Sequence, residues 1–172
     1  MSNDFRDLFG DWRPDPEGAG EEGEPRPQRA LNEKEVRVVN VYEGRYESAR
    51  GGIASESTTF VLLRDNMGRE FRIFVLKDVA YAIMLALENE TTDRPFTHDL
   101  IKNIIEKLGA TVERVIIDDL WQDTFYAKIT LVQGERAIDV DARPSDAIAI
   151  ALRFRVPIYV AEDVLERAQI EP

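Results

Sequence analysis

Residues 139–157 read D-V-D-A-R-P-S-D-A-I-A-I-A-L-R-F-R-V-P. Alternation places Ile138 and Val140 on one face of a strand, and Asp139 and Asp141 on the other. Pro144 suits the first turn of a helix, where a missing N–H costs nothing. Ser145 and Asp146 bring oxygen acceptors to the unpaired amides of that turn. Residues 147–152 are apolar throughout, so this helix is expected to be buried over most of its surface. A strand thus passes into a buried helix through a junction that holds three carboxylates, one guanidinium and one hydroxyl.

The same pattern occurs earlier in the chain. Ile73-Phe74-Val75 followed by residues 82–87 (A-I-M-L-A-L) matches Ile138-Asp139-Val140 followed by residues 147–152 (A-I-A-I-A-L), at a constant offset of 65. Each copy reads as a hairpin followed by an apolar helix, which implies two related halves around one core. The junctions differ: L-K-D-V-A-Y at 76–81 becomes D-A-R-P-S-D at 141–146. The scaffold is repeated and the polar cluster is not.

Working outward, 35–42 reads as a strand with Val36, Val38 and Val41 inward. Residues 58–64 and 69–75 flank D-N-M-G, a hairpin signal. Asp78 is placed to cap a helix running to Glu88. Thr97 is a natural N-cap for a helix from His98 to Leu108, stopped by Gly109. Leu100, Ile101, Ile104, Ile105 and Leu108 form its expected core stripe. Residues 111–118 follow as a strand, and 125–132 with 135–141 as a hairpin around Gln133-Gly134. A short strand at 157–160 and a helix at 162–169 close the chain. The fold class expected is α+β: mixed sheets built from two related hairpin–helix halves in a single domain over 31–172, behind a disordered acidic tail over 1–30.

Composition limits what the protein does. Its 172 residues are 44% hydrophobic, enough for one domain with a real core. The chain has no cysteine, hence no disulfide framework and no thiolate metal site. No apolar run is long enough to span a bilayer, and the N-terminus lacks the pattern of a signal peptide, so a cytoplasmic location without membrane contact is expected. The net charge is −11; residues 1–30 hold eight acids against four arginines, a net of −4 that leaves −7 for the rest. Such a charge opposes a broad electrostatic grip on nucleic acid unless a metal ion supplies positive charge locally. The tail is rich in Pro, Gly and Glu. Phe5, Leu8, Phe9 and Trp12 within it are spaced as an amphipathic turn, either a docking segment or an unstructured terminus. Arg50-Gly51-Gly52 is either a phosphate-approaching loop or simply a flexible one.

The string D-A-R-P-S-D-A-I-A-I-A-L-R, followed by P-I-Y-V and E-D-V-L, resembles the signature of the bifunctional nuclease domain family. R-P-F-T-H-D-L-I at 94–101, with L-G-A at 108–110, resembles a second signature of that family. The resemblance spans roughly residues 35–168. It implies cleavage of DNA and RNA and carries no catalytic residue with it.

The residues themselves leave alternatives open. Asp139, Asp141 and Asp146 are oxygen ligands suited to Mg²⁺ or Mn²⁺, which would polarise a phosphodiester and activate water. Arg143 could hold a phosphate oxygen through its planar fork, with Ser145 beside it. The same residues also suit a structural network, with Asp146 complementing the helix dipole and Arg143 paired to Asp139 or Asp141. His98 is the chain's single histidine. Beside Asp99 it is either a general base or part of a helix-start sequence. Arg153 and Arg155, with Glu162 and Asp163, either line the same cleft or form surface ion pairs. No P-loop, dinucleotide fingerprint, zinc spacing or nucleophile elbow is present. Two functions remain: a metal-assisted nuclease acting on DNA or RNA, or a non-catalytic regulatory or interaction module, expected to be a homodimer.

Overall fold

Alternating apolar residues build a single mixed sheet in the computed structural model, which describes residues 32–45 and 57–170. Its strands are β1 (Glu33–Arg45), β2 (Ser57–Asp65), β3 (Glu70–Val75), β4 (Thr111–Trp121), β5 (Thr124–Gln133), β6 (Arg136–Ala142) and β7 (Ile158–Ala161). The helices are α1 (Lys77–Glu88), α2 (Thr97–Lys107), α3 (Pro144–Phe154) and α4 (Glu162–Ala168). Spatial order is β3-β2-β1-β7-β4-β5-β6. All pairs are antiparallel except β4–β7. The two meanders β1–β3 and β4–β6 therefore flank β7 symmetrically, each followed by its helix. The anticipated halves are present, joined in one sheet.

α1 and α3 pack against each other and share a packing environment. Val79, Ala82, Ile83 and Leu85 are buried on α1, and their counterparts at the offset of 65, Pro144, Ala147, Ile148 and Ile150, are buried on α3. They cover a sheet face made of Val61, Leu63, Phe71, Val115, Ile117 and Val160, all fully buried. Each Ile or Leu sealed there contributes about 2 kcal/mol relative to an exposed position.

Ion pairs tie the ends of the fold together. Asp65 accepts the backbone N–H groups of Met67 and Arg69 at 2.9 and 2.8 Å, as well as Nε of Arg69 at 2.8 Å. Arg69 reaches on to Glu162 at 2.8 and 3.1 Å, so the β2–β3 turn is locked to the start of α4. Burial pushes the Asp65 carboxyl up, but the hydrogen bonds and charge of Arg69 hold it below the usual carboxylate range.

Several local expectations change. α1 begins at Lys77 with Leu76 as its cap, so Asp78 lies inside the first turn. α2 begins at Thr97 with Phe96 as cap, and Asp99 reaches back to accept the Phe96 N–H at 3.0 Å. β4 runs on to Trp121 and makes a tight hairpin with β5 through Gln122 and Asp123, both at positive φ (47° and 61°). The largest difference is α2. Its apolar stripe faces outward, with Leu100 49%, Ile104 49% and Leu108 67% exposed, and His98 is its buried residue. Polar anchors on α3 fix the rotation of α2, and they turn its hydrophobic face away from the sheet. The tail over 1–30, including Phe5, Leu8, Phe9 and Trp12, and the segment with Arg50-Gly51-Gly52 lie outside the described residues. Among the described residues, no helix is long and apolar enough to cross a membrane.

Candidate active site

The first turns of α1, α2 and α3 open on one groove of about 1090 Å³. Lys77, Asp78 and Tyr81 enter it from α1, Phe96, Thr97 and His98 from α2, and Arg143 and Asp146 from α3. Ile129 and Val140 on the sheet and Ile101 of α2 form its apolar lining. Residues from three helix N-termini thus line one space, and the positive dipole ends of helices favour anions nearby.

Asp146 is the hub. Its Oδ1 lies 3.0 Å from Nε2 of His98, and its Oδ2 accepts Nε of Arg143 at 2.7 Å. Burial pushes the Asp146 carboxyl up, but hydrogen bonds from Arg143 and His98 outweigh it and hold the group below the usual range. An ionised carboxylate only accepts, so Nε2 of His98 is the donor, and in the neutral form of the ring Nδ1 is the nitrogen that keeps its lone pair. His98 is 6% exposed. Among the described residues no hydrogen bond engages its Nδ1 and no sealed side-chain nitrogen or oxygen lacks a partner, so Nδ1 is not closed into the core. Asp146 raises the affinity of the Arg143 guanidinium for its proton. Arg143 engages Asp146 through Nε, while its side chain remains 66% exposed at the groove.

A second lock holds α2 from beside the groove. Nε of Arg153 donates to Asp99 at 2.6 Å and Nη1 to the Ala149 carbonyl at 3.0 Å, with the Arg153 side chain only 6% exposed. Asp99 therefore positions α2 and does not line the groove. His98 and Asp99 grip α3 at Asp146 and Arg153, two turns apart on one stripe.

The remaining junction residues separate. Asp139 lies on the sheet face away from α3 and accepts Thr130 Oγ1 at 2.8 Å. Asp141 sits at the groove rim, in register with Lys128. Ser145 is half-buried on α3 and does not line the groove. Asp139, Asp141 and Asp146 thus form no three-carboxylate cage, and among the described residues no three His, Asp or Glu side chains lie close enough to share a metal ion. Arg143 pairs with Asp146, not with Asp139 or Asp141. Arg155 donates to Asn89 at 3.2 Å, Glu162 binds Arg69, and Asp163 binds Arg167, so this set does not gather at the cleft.

Sequence reasoning missed two features. One is the pairing of His98 with Asp146, 48 residues apart, which no spacing pattern encodes. The other is the aromatic pair at the groove mouth, Tyr81 and Phe96, with ring centroids 5.9 Å apart and planes at 77°. The R-P-F-T-H-D string did hold Phe96 beside His98, which was the available signal.

Comparison with known proteins places this arrangement. The family model of the bifunctional nuclease domain matches residues 61–172, from within β2 through α4. The chain belongs to the bifunctional nuclease domain family. A Mycobacterium tuberculosis protein described as uncharacterized is 42% identical over 135 residues, 78% of this chain and 75% of that protein. Bifunctional nuclease 2 of Arabidopsis thaliana is 31% identical over 135 residues, 72% of this chain and 41% of its own length. Bifunctional nuclease 1 of Oryza sativa is 34% identical over 91 residues, 51% of this chain and 28% of its own. The chain thus spans less than half of these nuclease-named plant relatives. The whole groove described above, from Lys77 to Ile150, falls inside the bifunctional nuclease domain match.

Proposed function

We propose that this domain hydrolyses phosphodiester bonds of DNA or RNA, with His98 as general base and Asp146 as the group that orients it. The observation that carries this reading is the Arg143–Asp146–His98 chain of hydrogen bonds at the convergence of three helix N-termini. Asp146 fixes the tautomer, so that Nδ1 is the nitrogen available to take a proton from water. Arg143 keeps free N–H groups for a phosphate oxygen while Asp146 holds its Nε. The amides of the three first turns add fixed partial charge where negative charge develops.

The groove sets Asp78, Asp141 and Asp146 against Lys77 and Arg143, a formal excess of negative charge. A phosphodiester needs further positive charge there. A divalent ion, Mg²⁺ or Mn²⁺, would supply it and acidify a water. Asp141 and Asp78 offer carboxylates singly, a manner in which Mg²⁺ is held together with substrate phosphates. The test is cleavage of single-stranded DNA and RNA by purified protein with EDTA, Mg²⁺ or Mn²⁺, alongside Asp141→Asn. Metal-dependent cleavage that weakens in the variant is expected. Activity unaffected by EDTA and by the substitution would remove the metal from the account.

The outward stripe of α2 favours a second reading, an interaction module that is non-catalytic and homodimeric. A soluble chain that stays monomeric at high concentration would end that reading.

A further inference from the structure

We propose that Tyr81 and Phe96 form a base-stacking platform that restricts the groove to unpaired strands of nucleic acid. The inference rests on the nuclease reading of the groove and deepens it. Both rings are exposed, Tyr81 at 51% and Phe96 at 41%, although Tyr81 lies within α1 and Phe96 caps α2. They meet edge to face, so each buttresses the other and each leaves a face open. Both line the groove that holds Lys77, Arg143 and His98. Exposed aromatic faces beside cations are the means by which proteins hold single strands, since every unpaired base offers a π-face and a duplex hides its own.

The repeat gives independent support. At the offset of 65, Tyr81 occupies on α1 the position that Asp146 occupies on α3. Both open on the same groove. One copy therefore supplies the reacting side and the other an aromatic side. Tyr81 gains nothing for the core, where its α1 neighbours Ala80, Ala82 and Ile83 are sealed.

The test is fluorescence anisotropy with labelled oligothymidylate in Mn²⁺, single-stranded or annealed to oligoadenylate, together with cleavage of both forms. Wild type should bind and cleave the single strand in preference to the duplex. Tyr81→Ala and Phe96→Ala should each weaken single-strand binding at least about fivefold, the low end for loss of one stacked base. Tyr81→Phe should bind as wild type does. Unchanged melting temperatures would show that the alanine variants fold, as expected for exposed positions. Single-strand affinity unaltered in both alanine variants, or a wild type with no strand preference, would overturn the platform. If the alanine variants lose binding while wild type cleaves nothing under any metal, the platform stands and the nuclease reading falls.

Discussion

The strand-to-helix junctions at 76–81 and 141–146 occupy equivalent places in the two halves, yet they enter their helices differently. α1 begins at Lys77, whereas α3 begins at Pro144, the counterpart of Val79. The second helix thus starts two residues later. Arg143, the counterpart of Asp78, is left extended at φ −67° and ψ 141° as the cap of α3. From there its guanidinium folds back on Asp146. In the first half the same position is wound into the helix. A proline at the first helical position thus converts a scaffold turn into one that presents a charged side chain. At Val79, Ala82, Ile83 and Leu85 and their counterparts the two helices bury matching residues, which separates what the repeat needs for folding from what one copy has acquired.

If the halves are equivalent in the core, Ile83→Ala and Ile148→Ala should be equally costly, each about 2–5 kcal/mol in urea unfolding. A large inequality between them would show that one helix, and not both, carries the core.

The second half alone holds the α2 anchor. Asp99→Asn should remove the carboxylate partner of a buried guanidinium and cost about 3 kcal/mol. A cost below about 0.5 kcal/mol would mean that α2 is held otherwise. Ala149 and Met84 are counterparts that differ in burial, 0% against 39% exposed. Ala149→Met should overpack and cost about 1–3 kcal/mol, while Met84→Ala should stay within about 0.5 kcal/mol. Equal effects would erase the distinction between the two helix surroundings.

The smallest effect concerns acid. The folded-state pKa of Asp146 lies below its ordinary value. Its contribution is therefore present above the unfolded pKa and lost as pH falls through the carboxylate range toward the native value. The stability gap between wild type and Asp146→Asn should be full near neutrality and close in acid. A gap independent of pH would place the cost of the substitution elsewhere.

Much of this was legible in the sequence. The repeat at an offset of 65 predicted both halves, and Pro144-Ser145-Asp146 predicted the start of α3. The family strings around Arg94 and Asp141 bracketed both sides of the groove. The turn at Gln122-Asp123 was not legible, because neither residue is glycine although both adopt positive φ. Nor was the outward face of α2. Periodicity identifies an apolar stripe but not its direction, and here His98 and Asp99 set that direction through bonds to α3. The carboxylates of the junction looked like one cluster because they are close in sequence. Strand alternation sets Asp139 and Asp141 on the face opposite Val140; Thr130 holds Asp139 there, and only Asp141, at the strand end, reaches the groove rim.

The central claim is that His98 and Asp146 act as one unit on the phosphodiester. Rates of single-stranded DNA cleavage in Mn²⁺ by wild type, His98→Gln, Asp146→Asn and the double variant test it most directly. Each single substitution should lower the rate about 100-fold or more, and the double variant should lose no more than His98→Gln alone. Independent, multiplying losses in the double variant, or wild-type rates in a folded single variant, would contradict it.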